Sequence, residues 1–208
     1  VMPFAVLGQV EKEVNQKLQT WVSINTVTKF SDHWGVIADA HIRDNGFFED
    51  NNFYFLRGGV TYIPTKLVTL TAGYAHMWLA PSNPDWSTYA DENRIYQQVN
   101  LNTTVGKVGM VQRIRNELRF TNRVRYLLGF NIPVFKKKTL PLLVLSDEIL
   151  IHFGEDVVYN TFEQNRLFIG IKQTINPKWS FDFGYMNVYQ QKYSGYQYDM
   201  NHTIRLFF

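Results

Sequence analysis

Hydrophobic and polar residues alternate with a period of two along most of this chain, which constrains the fold more than any other sequence feature. Eight segments alternate clearly: 34–43, 54–62, 69–74, 94–102, 113–120, 123–132, 164–172 and 179–185. Strands with two unlike faces have this period, whereas an amphipathic helix repeats every 3.6 residues or so. Together with the less regular segments 19–30, 140–153 and 197–208, the pattern predicts eleven β-strands.

The composition narrows the class of protein that such strands can build. Hydrophobic residues make up 45% of the 208 residues and aromatic residues 16%, which excludes intrinsic disorder. No apolar run approaches the roughly 18 residues of a membrane-spanning helix. The absence of Cys excludes disulfides and thiolate metal sites. A net charge of +3, with Lys and Arg spread along the chain, does not indicate a nucleic-acid partner.

The aromatic residues indicate which face of the strands points inward. A soluble barrel points its apolar face inward, whereas a membrane barrel points it outward. The apolar face carries seven Trp and Tyr side chains, too many to bury without polar partners: Trp34, Tyr54, Tyr62, Tyr74, Tyr126, Trp179 and Tyr185. On a membrane barrel such rings form girdles at the two membrane surfaces. We therefore predict an all-β fold, a transmembrane, antiparallel, up-and-down β-barrel.

The strand number and the connections add detail to this prediction. Single-chain bacterial barrels have an even number of strands. Eleven segments thus predict twelve strands if residues 4–14 add one, or ten if one segment is misassigned. If the last strand ends in the periplasm, the longer polar connections all lie outside the cell: 44–51, 80–91, 154–160 and 190–196. Thr121-Asn122 is a very short connection on that same side.

The N-terminal residues have two interpretations. Residues 1–8 match the end of a signal-peptide apolar core with small residues before a cleavage point at Gly8/Gln9, or they are an ordinary apolar segment. In both cases residues 9–208 are predicted to form a single barrel domain, because no linker interrupts them. The last strand ends in Phe208, similar to the assembly signal of bacterial outer-membrane barrels.

Several short motifs occur in order along residues 15–208. They are Gln19-Thr20-Trp21, Trp34-Gly35, Leu70-Thr71-Ala72-Gly73-Tyr74-Ala75, Asp91-Glu92-Asn93-Arg94, Gln112-Arg113-Ile114-Arg115-Asn116-Glu117, Arg123-Val124-Arg125-Tyr126, Asp147-Glu148, Tyr159-Asn160-Thr161-Phe162-Glu163-Gln164-Asn165-Arg166 and Gly184-Tyr185-Met186-Asn187-Val188. On these motifs the sequence resembles a family of bacterial outer-membrane β-barrels known only as a domain of unknown function. The resemblance implies a porin-like barrel in the outer membrane of a Gram-negative bacterium. It implies no activity and no catalytic residues.

The strongest candidate site is a group of charged residues on the polar face. Spacing by two places the Arg side chains of two adjoining strands in one patch, and antiparallel pairing brings Glu117 near Arg123 or Arg125. The predicted lumen charge cluster is Arg113, Arg115, Glu117, Arg119, Arg123, Arg125, Glu148 and Arg166. Two functions fit this cluster: a salt-bridge network that fills a narrow barrel, or an anion-selective constriction.

The functional expectations follow from this cluster. We expect a structural or accessory barrel, within outer-membrane lipopolysaccharide and phospholipid and in some cases within a larger envelope complex. The alternative is a narrow channel for small anionic solutes. A membrane-lipid enzyme would have to rely on Ser146, Glu148 and His152, which no nucleophile motif frames. We therefore expect no enzyme activity, no cofactor and no metal site.

Overall fold

The computed structural model describes residues 12–48, 50–80, 88–119, 122–137, 139–155, 157, 161–192 and 194–208. The predicted signal segment 1–8 and Thr121 lie outside these described residues. The described chain forms eleven strands: β1 (Glu13–Lys29), β2 (Trp34–Asn45), β3 (Asp50–Tyr62), β4 (Val68–Leu79), β5 (Ala90–Val105), β6 (Val108–Leu118), β7 (Asn122–Ile132), β8 (Leu142–Phe153), β9 (Phe162–Asn176), β10 (Trp179–Gln191) and β11 (Gln197–Phe207).

The strands close into one barrel, which confirms the predicted all-β barrel. Each strand pairs antiparallel with the next along the chain, and β1 closes the ring by pairing parallel with β11, from Glu13↔Gln197 to Ser23↔Phe207. The expected count of twelve strands, or ten, is wrong. An even count follows only when every neighbouring pair is antiparallel, and the parallel pair allows eleven. Both edges of β1 are used, so this ring has no edge for a twelfth strand.

Strand β1 shows why the pattern misplaced the start of the barrel. It begins at Glu13, six residues before the predicted segment 19–30, in a polar stretch without alternation. That stretch is held by its backbone pairing with β11 and by polar contacts, such as the bond from Gln197 Nε2 to Glu13 Oε2 at 2.8 Å. Backbone pairing requires no apolar side chain, and the alternation therefore does not reveal it.

The barrel has two rims that differ in their connections. We call the end with residues 30–33, 63–67, 106–107, 133–141 and 177–178 the turn rim, and the end with 46–49, 80–89, 119–121, 154–161 and 192–196 the loop rim. The predicted long connection 44–51 shrinks to residues 46–49, because β2 continues to Asn45 and β3 begins at Asp50. The difference in length between the rims is therefore smaller than the sequence indicates.

Side-chain oxygens hold three of the connections at the turn rim. Ser31 Oγ accepts hydrogen bonds from the backbone of His33 and Trp34, at 3.3 and 2.9 Å. Thr65 Oγ1 does the same one connection further on, and so does Asn176 Oδ1 before β10. These are Asx and Ser/Thr turns, in which Asn, Ser and Thr are favoured because their side-chain oxygens bond to the backbone of the turn.

The distribution of polar and apolar side chains is inverted relative to a soluble protein. Large hydrophobic side chains point outward, with Leu56 51% exposed and Ile95 and Leu167 each 57% exposed. Charged side chains are buried inside, with Arg115 3% and Glu117 4% exposed. A small apolar cluster also lies inside, formed by Trp21, Val144, Phe168, Met186 and Val188 with Phe207 against it.

Two cross-strand pairs of glycines let the wall bend around large rings inside the barrel. Gly59 pairs with Gly73 across β3 and β4, and a Cβ on Gly73 would lie 2.2 Å from the Gly58 carbonyl oxygen and 2.7 Å from the Tyr96 hydroxyl. Tyr96, on β5, is 1% exposed and covers this pair. Glycine pairs covered by an aromatic ring are a known means of curving a sheet.

The second pair lies further round the wall. Gly170 pairs with Gly184 across β9 and β10, and a Cβ on Gly184 would lie 2.3 Å from the Ile169 carbonyl oxygen. Phe168 is 1% exposed, and a Cβ on Gly170 would lie 2.5 Å from its ring. Both rings occupy volume inside the barrel at places where only glycine fits the wall.

Candidate functional site

Glu117 on β6 is the first of two carboxylates around which the buried Arg side chains gather. It accepts hydrogen bonds from Arg125 at 2.8 Å and from Arg123 at 3.2 Å, both on the neighbouring β7. Arg94 on β5 donates to it at 3.3 Å, and Arg115 Nη1 lies 3.7 Å away. Four guanidinium groups from three adjacent strands thus share one carboxylate, which antiparallel pairing places between them.

Glu148 on β8 is the second such carboxylate. Arg113 donates to it at 2.7 Å, Arg125 at 2.8 Å and Arg166 at 3.2 Å. Arg125 therefore bridges Glu148 and Glu117, and a continuous set of ion pairs runs from β5 to β9. A guanidinium that bridges two carboxylates has several of its N–H donors hydrogen-bonded at once. A buried cation requires such hydrogen bonds and the opposite charge that comes with them.

Two further carboxylates extend the ion pairs toward the loop rim. Glu163 accepts from Arg119 at 3.2 Å and also from Arg123. Glu92 accepts from Arg94 at 2.7 Å and from Arg119 at 3.4 Å. Arg119 thus links two acidic residues on different strands.

We call the connected set the lumen network. It consists of Glu92, Arg94, Arg113, Arg115, Glu117, Arg119, Arg123, Arg125, Glu148, Glu163 and Arg166. The structure brings together all eight residues of the predicted lumen charge cluster and adds Glu92, Arg94 and Glu163. The alternation around Ile95 could have placed Glu92 and Arg94 on the inner face. Glu163 could not be found in this way, because the pairing register of β8 and β9 shifts between Leu150 and Ile151.

Further ion pairs lie inside the barrel, away from the lumen network, and two of them are made by Arg. Arg57 Nε donates to Asp39 Oδ2 at 2.6 Å across β2 and β3. Arg205 donates to Asp182 at 3.3 Å across β11 and β10, and its guanidinium carbon lies 3.9 Å from the centre of the Phe168 ring.

A cavity of about 770 Å³ remains between these groups and the apolar cluster. Residues near the loop rim, such as Gln190 and Lys192, and residues near the turn rim, such as Lys172 and Phe208, both contribute to its wall. Among the described residues that line it, twelve are Arg or Lys and five are Asp or Glu. The cavity is thus a cationic chamber, whose low-dielectric walls strengthen the attraction for an anion.

The three residues considered for enzyme chemistry do not form a unit. Ser146, Glu148 and His152 all line the cavity from β8. Glu148 is engaged by three guanidinium groups. Ser146 and His152 are six residues apart on an extended strand, which separates their backbones by about 20 Å. Their geometry provides no nucleophile–base pair.

The other histidines are also dispersed. His41 lines the cavity from β2, whereas His76 on β4 and His202 on β11 are on the outer face, where they contact Asn93 at 2.7 Å and Tyr185 at 2.6 Å. Within the described ranges, the structure contains no group of three His, Cys, Asp or Glu residues placed to hold a metal ion.

A family model described as "Protein of unknown function (DUF2490)" matches residues 18–199 of this chain. No curated protein and no solved structure matches it. In the part of the chain that the structure describes, no helix has the length and hydrophobicity to cross a membrane.

Proposed function

The chain belongs to the family of unknown function DUF2490, and for this member we propose an integral β-barrel of the bacterial outer membrane with a structural or accessory role. In this role the lumen network holds the wall from the inside, and lipopolysaccharide and phospholipid cover the outside. Other envelope proteins are its proposed partners in a larger complex.

The inverted distribution of side chains carries this proposal. A barrel with charged groups buried inside and Leu56, Ile95 and Leu167 exposed outside leaves a wide apolar surface in contact with the solvent. Contiguous apolar patches beyond a few hundred Å² are rare on soluble monomers, whereas membrane barrels require an outward apolar band. The rings of Trp34 and Tyr62 pack against each other at the turn rim, with centres 4.9 Å apart and planes tilted by 46°, in the position of an interfacial girdle.

The structural role is supported by how the lumen is occupied. Barrels of about 8 strands are filled by side chains, while those of 16–18 strands leave a wide channel. This ring of eleven strands lies between them, and the lumen network, Tyr96 and Phe168 occupy much of its interior. A network of ion pairs this dense stiffens a wall that has little apolar core.

A second candidate function, a narrow channel for small anions, is favoured by the cationic cavity that residues near both rims line. The two functions differ in conductance. A structural barrel gives no steady current in planar bilayers, whereas an anion channel gives a current that Arg115→Ala reduces.

The membrane proposal is tested by accessibility, and the absence of native Cys makes single-cysteine labelling unambiguous. Ile149→Cys places a spin label on the outer face of β8, where the side chain is 42% exposed. Ser146→Cys, on the same strand, places the label on the cavity wall and serves as the matched control.

In lipid vesicles we expect the Ile149→Cys label to collide with dissolved oxygen and to be shielded from a water-soluble nickel reagent. The Ser146→Cys label should show lower oxygen access. Ready access of the nickel reagent to the Ile149→Cys label, or failure of the protein to remain with the vesicles, would overturn the membrane proposal.

A further inference from the structure

Arg43 on β2 differs from the other Arg side chains of the cavity wall. The other nine each have a carboxylate oxygen within 4 Å. In the part of the chain that the structure describes, the Arg43 side chain has no carboxylate partner and no hydrogen bond to another residue, and its Nε is buried without a hydrogen-bond partner. A guanidinium with five donors in this state lacks the counter-charge that a buried cation requires.

The surroundings of Arg43 fix its position while leaving its donors unused. Its guanidinium carbon lies 3.5 Å from the centre of the Trp21 ring and 4.4 Å from that of Phe53. Stacking on rings occupies the faces of a planar guanidinium and leaves the N–H groups at its edge for hydrogen bonding. Trp21 is itself 4% exposed and donates to Gln19 at 3.1 Å, so this platform is ordered.

Two more polar groups face the same region. Arg166 has its guanidinium carbon 5.3 Å from the Trp21 ring centre, the same ring on which Arg43 stacks at 3.5 Å. The two guanidinium carbons are therefore at most about 9 Å apart, the sum of these two distances, which is close to the span of one oxyanion held between two guanidinium groups. His41, two residues before Arg43 on the same face, also lines the cavity. Its ring packs against Phe55 and Phe207, with ring centres 4.9 and 5.4 Å away, and both its nitrogens are buried without a hydrogen-bond partner.

We propose that Arg43, Arg166 and His41 form a binding site for a small oxyanion, of the phosphate, sulfate or carboxylate class, on the wall of the cavity. The inference rests on the proposed function, because it requires the lumen to face water rather than lipid. Guanidinium groups bind such oxyanions through paired N–H donors, and the anion supplies the negative charge that Arg43 lacks. A volume of about 770 Å³ is ample for a solute that carries this group.

The test is calorimetric titration of the full-length protein with inorganic phosphate, in a maltoside detergent that itself contains no phosphate. Arg43→Met removes the unpaired cation and retains the aliphatic stem. Lys172→Met is the matched control, because Lys172 also lines the cavity but lies toward the turn rim, 4.0 Å from Asp182. Arg43→Lys retains the charge without the planar fork.

We expect saturable phosphate binding that weakens at least tenfold in Arg43→Met and less than threefold in Lys172→Met, with Arg43→Lys between them. A quench or shift of fluorescence on binding should disappear in Trp21→Phe. A second arm offers phosphatidylglycerol in mixed micelles; this lipid should not displace the phosphate, because its acyl chains remain outside the barrel.

Absence of saturable phosphate binding, or equal weakening by Arg43→Met and Lys172→Met, overturns the site. Displacement by phosphatidylglycerol also overturns it, because the ligand would then be a lipid headgroup outside the lumen. Accessibility of the Ile149→Cys and Ser146→Cys labels, measured on the same preparations, separates these results from failure of the membrane proposal.

Discussion

Replacing Glu148 with Gln removes one of the two carboxylates that hold the lumen network together. Glu148 is 4% exposed and receives hydrogen bonds from Arg113, Arg125 and Arg166 at 2.7 to 3.2 Å. Glutamine has nearly the same size, so the change removes the charge without opening a cavity. It leaves three guanidinium groups with less compensation and places an amide N–H₂ among donors.

The expected cost is about 3 kcal/mol, because removing one partner of a buried ion pair costs roughly 3–5 kcal/mol and the cavity beside Glu148 allows some hydration. At a slope of about 2 kcal/mol/M, this lowers the urea midpoint by about 1.5 M. The assay is reversible urea unfolding of the protein in lipid bilayers, followed by tryptophan fluorescence. Glu155→Gln is the control, because Glu155 is exposed in the connection after β8.

A second variant makes the test sharper, because the effect of Arg113→Met on stability should depend on whether Glu148 is present. Arg113 has Glu148 as its carboxylate partner, so Arg113→Met alone should destabilise the protein by about 1–2 kcal/mol. In the Glu148→Gln background the same change removes an uncompensated cation and should be neutral or stabilising. If Glu148→Gln costs no more than Glu155→Gln, or if the effects of Glu148→Gln and Arg113→Met simply add, the reasoning about the lumen network is refuted.

Three further predictions concern the wall of the barrel. Gly184→Ala should prevent folding or lower the free energy of unfolding by at least about 3 kcal/mol, because the new Cβ would lie 2.3 Å from a carbonyl oxygen. Gly129→Ala is the control in the same urea assay; its Cβ would lie 3.5 Å from the nearest atom, so the loss should be under about 1 kcal/mol. Tyr96→Ala should lower the free energy of unfolding by about 3 kcal/mol, because it removes a buried ring. Tyr96→Phe should lower it by under about 1 kcal/mol, because the hydroxyl makes only one long hydrogen bond, 3.4 Å to the Gly58 carbonyl, and equal losses would contradict this packing role. Asp147→Leu should raise stability in bilayers, because this carboxylate lies on the outer face of β8, and a loss of stability there would argue against lipid at this face.

The all-β barrel, and which face of each strand points inward, could be predicted because both depend on local chemistry. A period of two places Arg123 and Arg125 on one face and Val124 and Tyr126 on the other, whatever the rest of the chain does. The turns at Ser31, Thr65 and Asn176 are equally local, since their side-chain oxygens bond to backbone groups two and three residues ahead. The match to a family of unknown function agrees with the resemblance stated from the motifs.

The strand number, the closure and the differences among the Arg side chains depended on contacts between residues far apart in the chain. The parallel pairing of β1 with β11 joins residues 184 positions apart, such as Glu13 and Gln197, and no local pattern encodes it. Arg43 and Arg125 look alike in sequence, because each lies on the polar face of a strand in which polar and apolar residues alternate. The fold alone places Arg125 between two carboxylates and Arg43 on aromatic rings without one, because pairing partners are assigned only when the sheet closes.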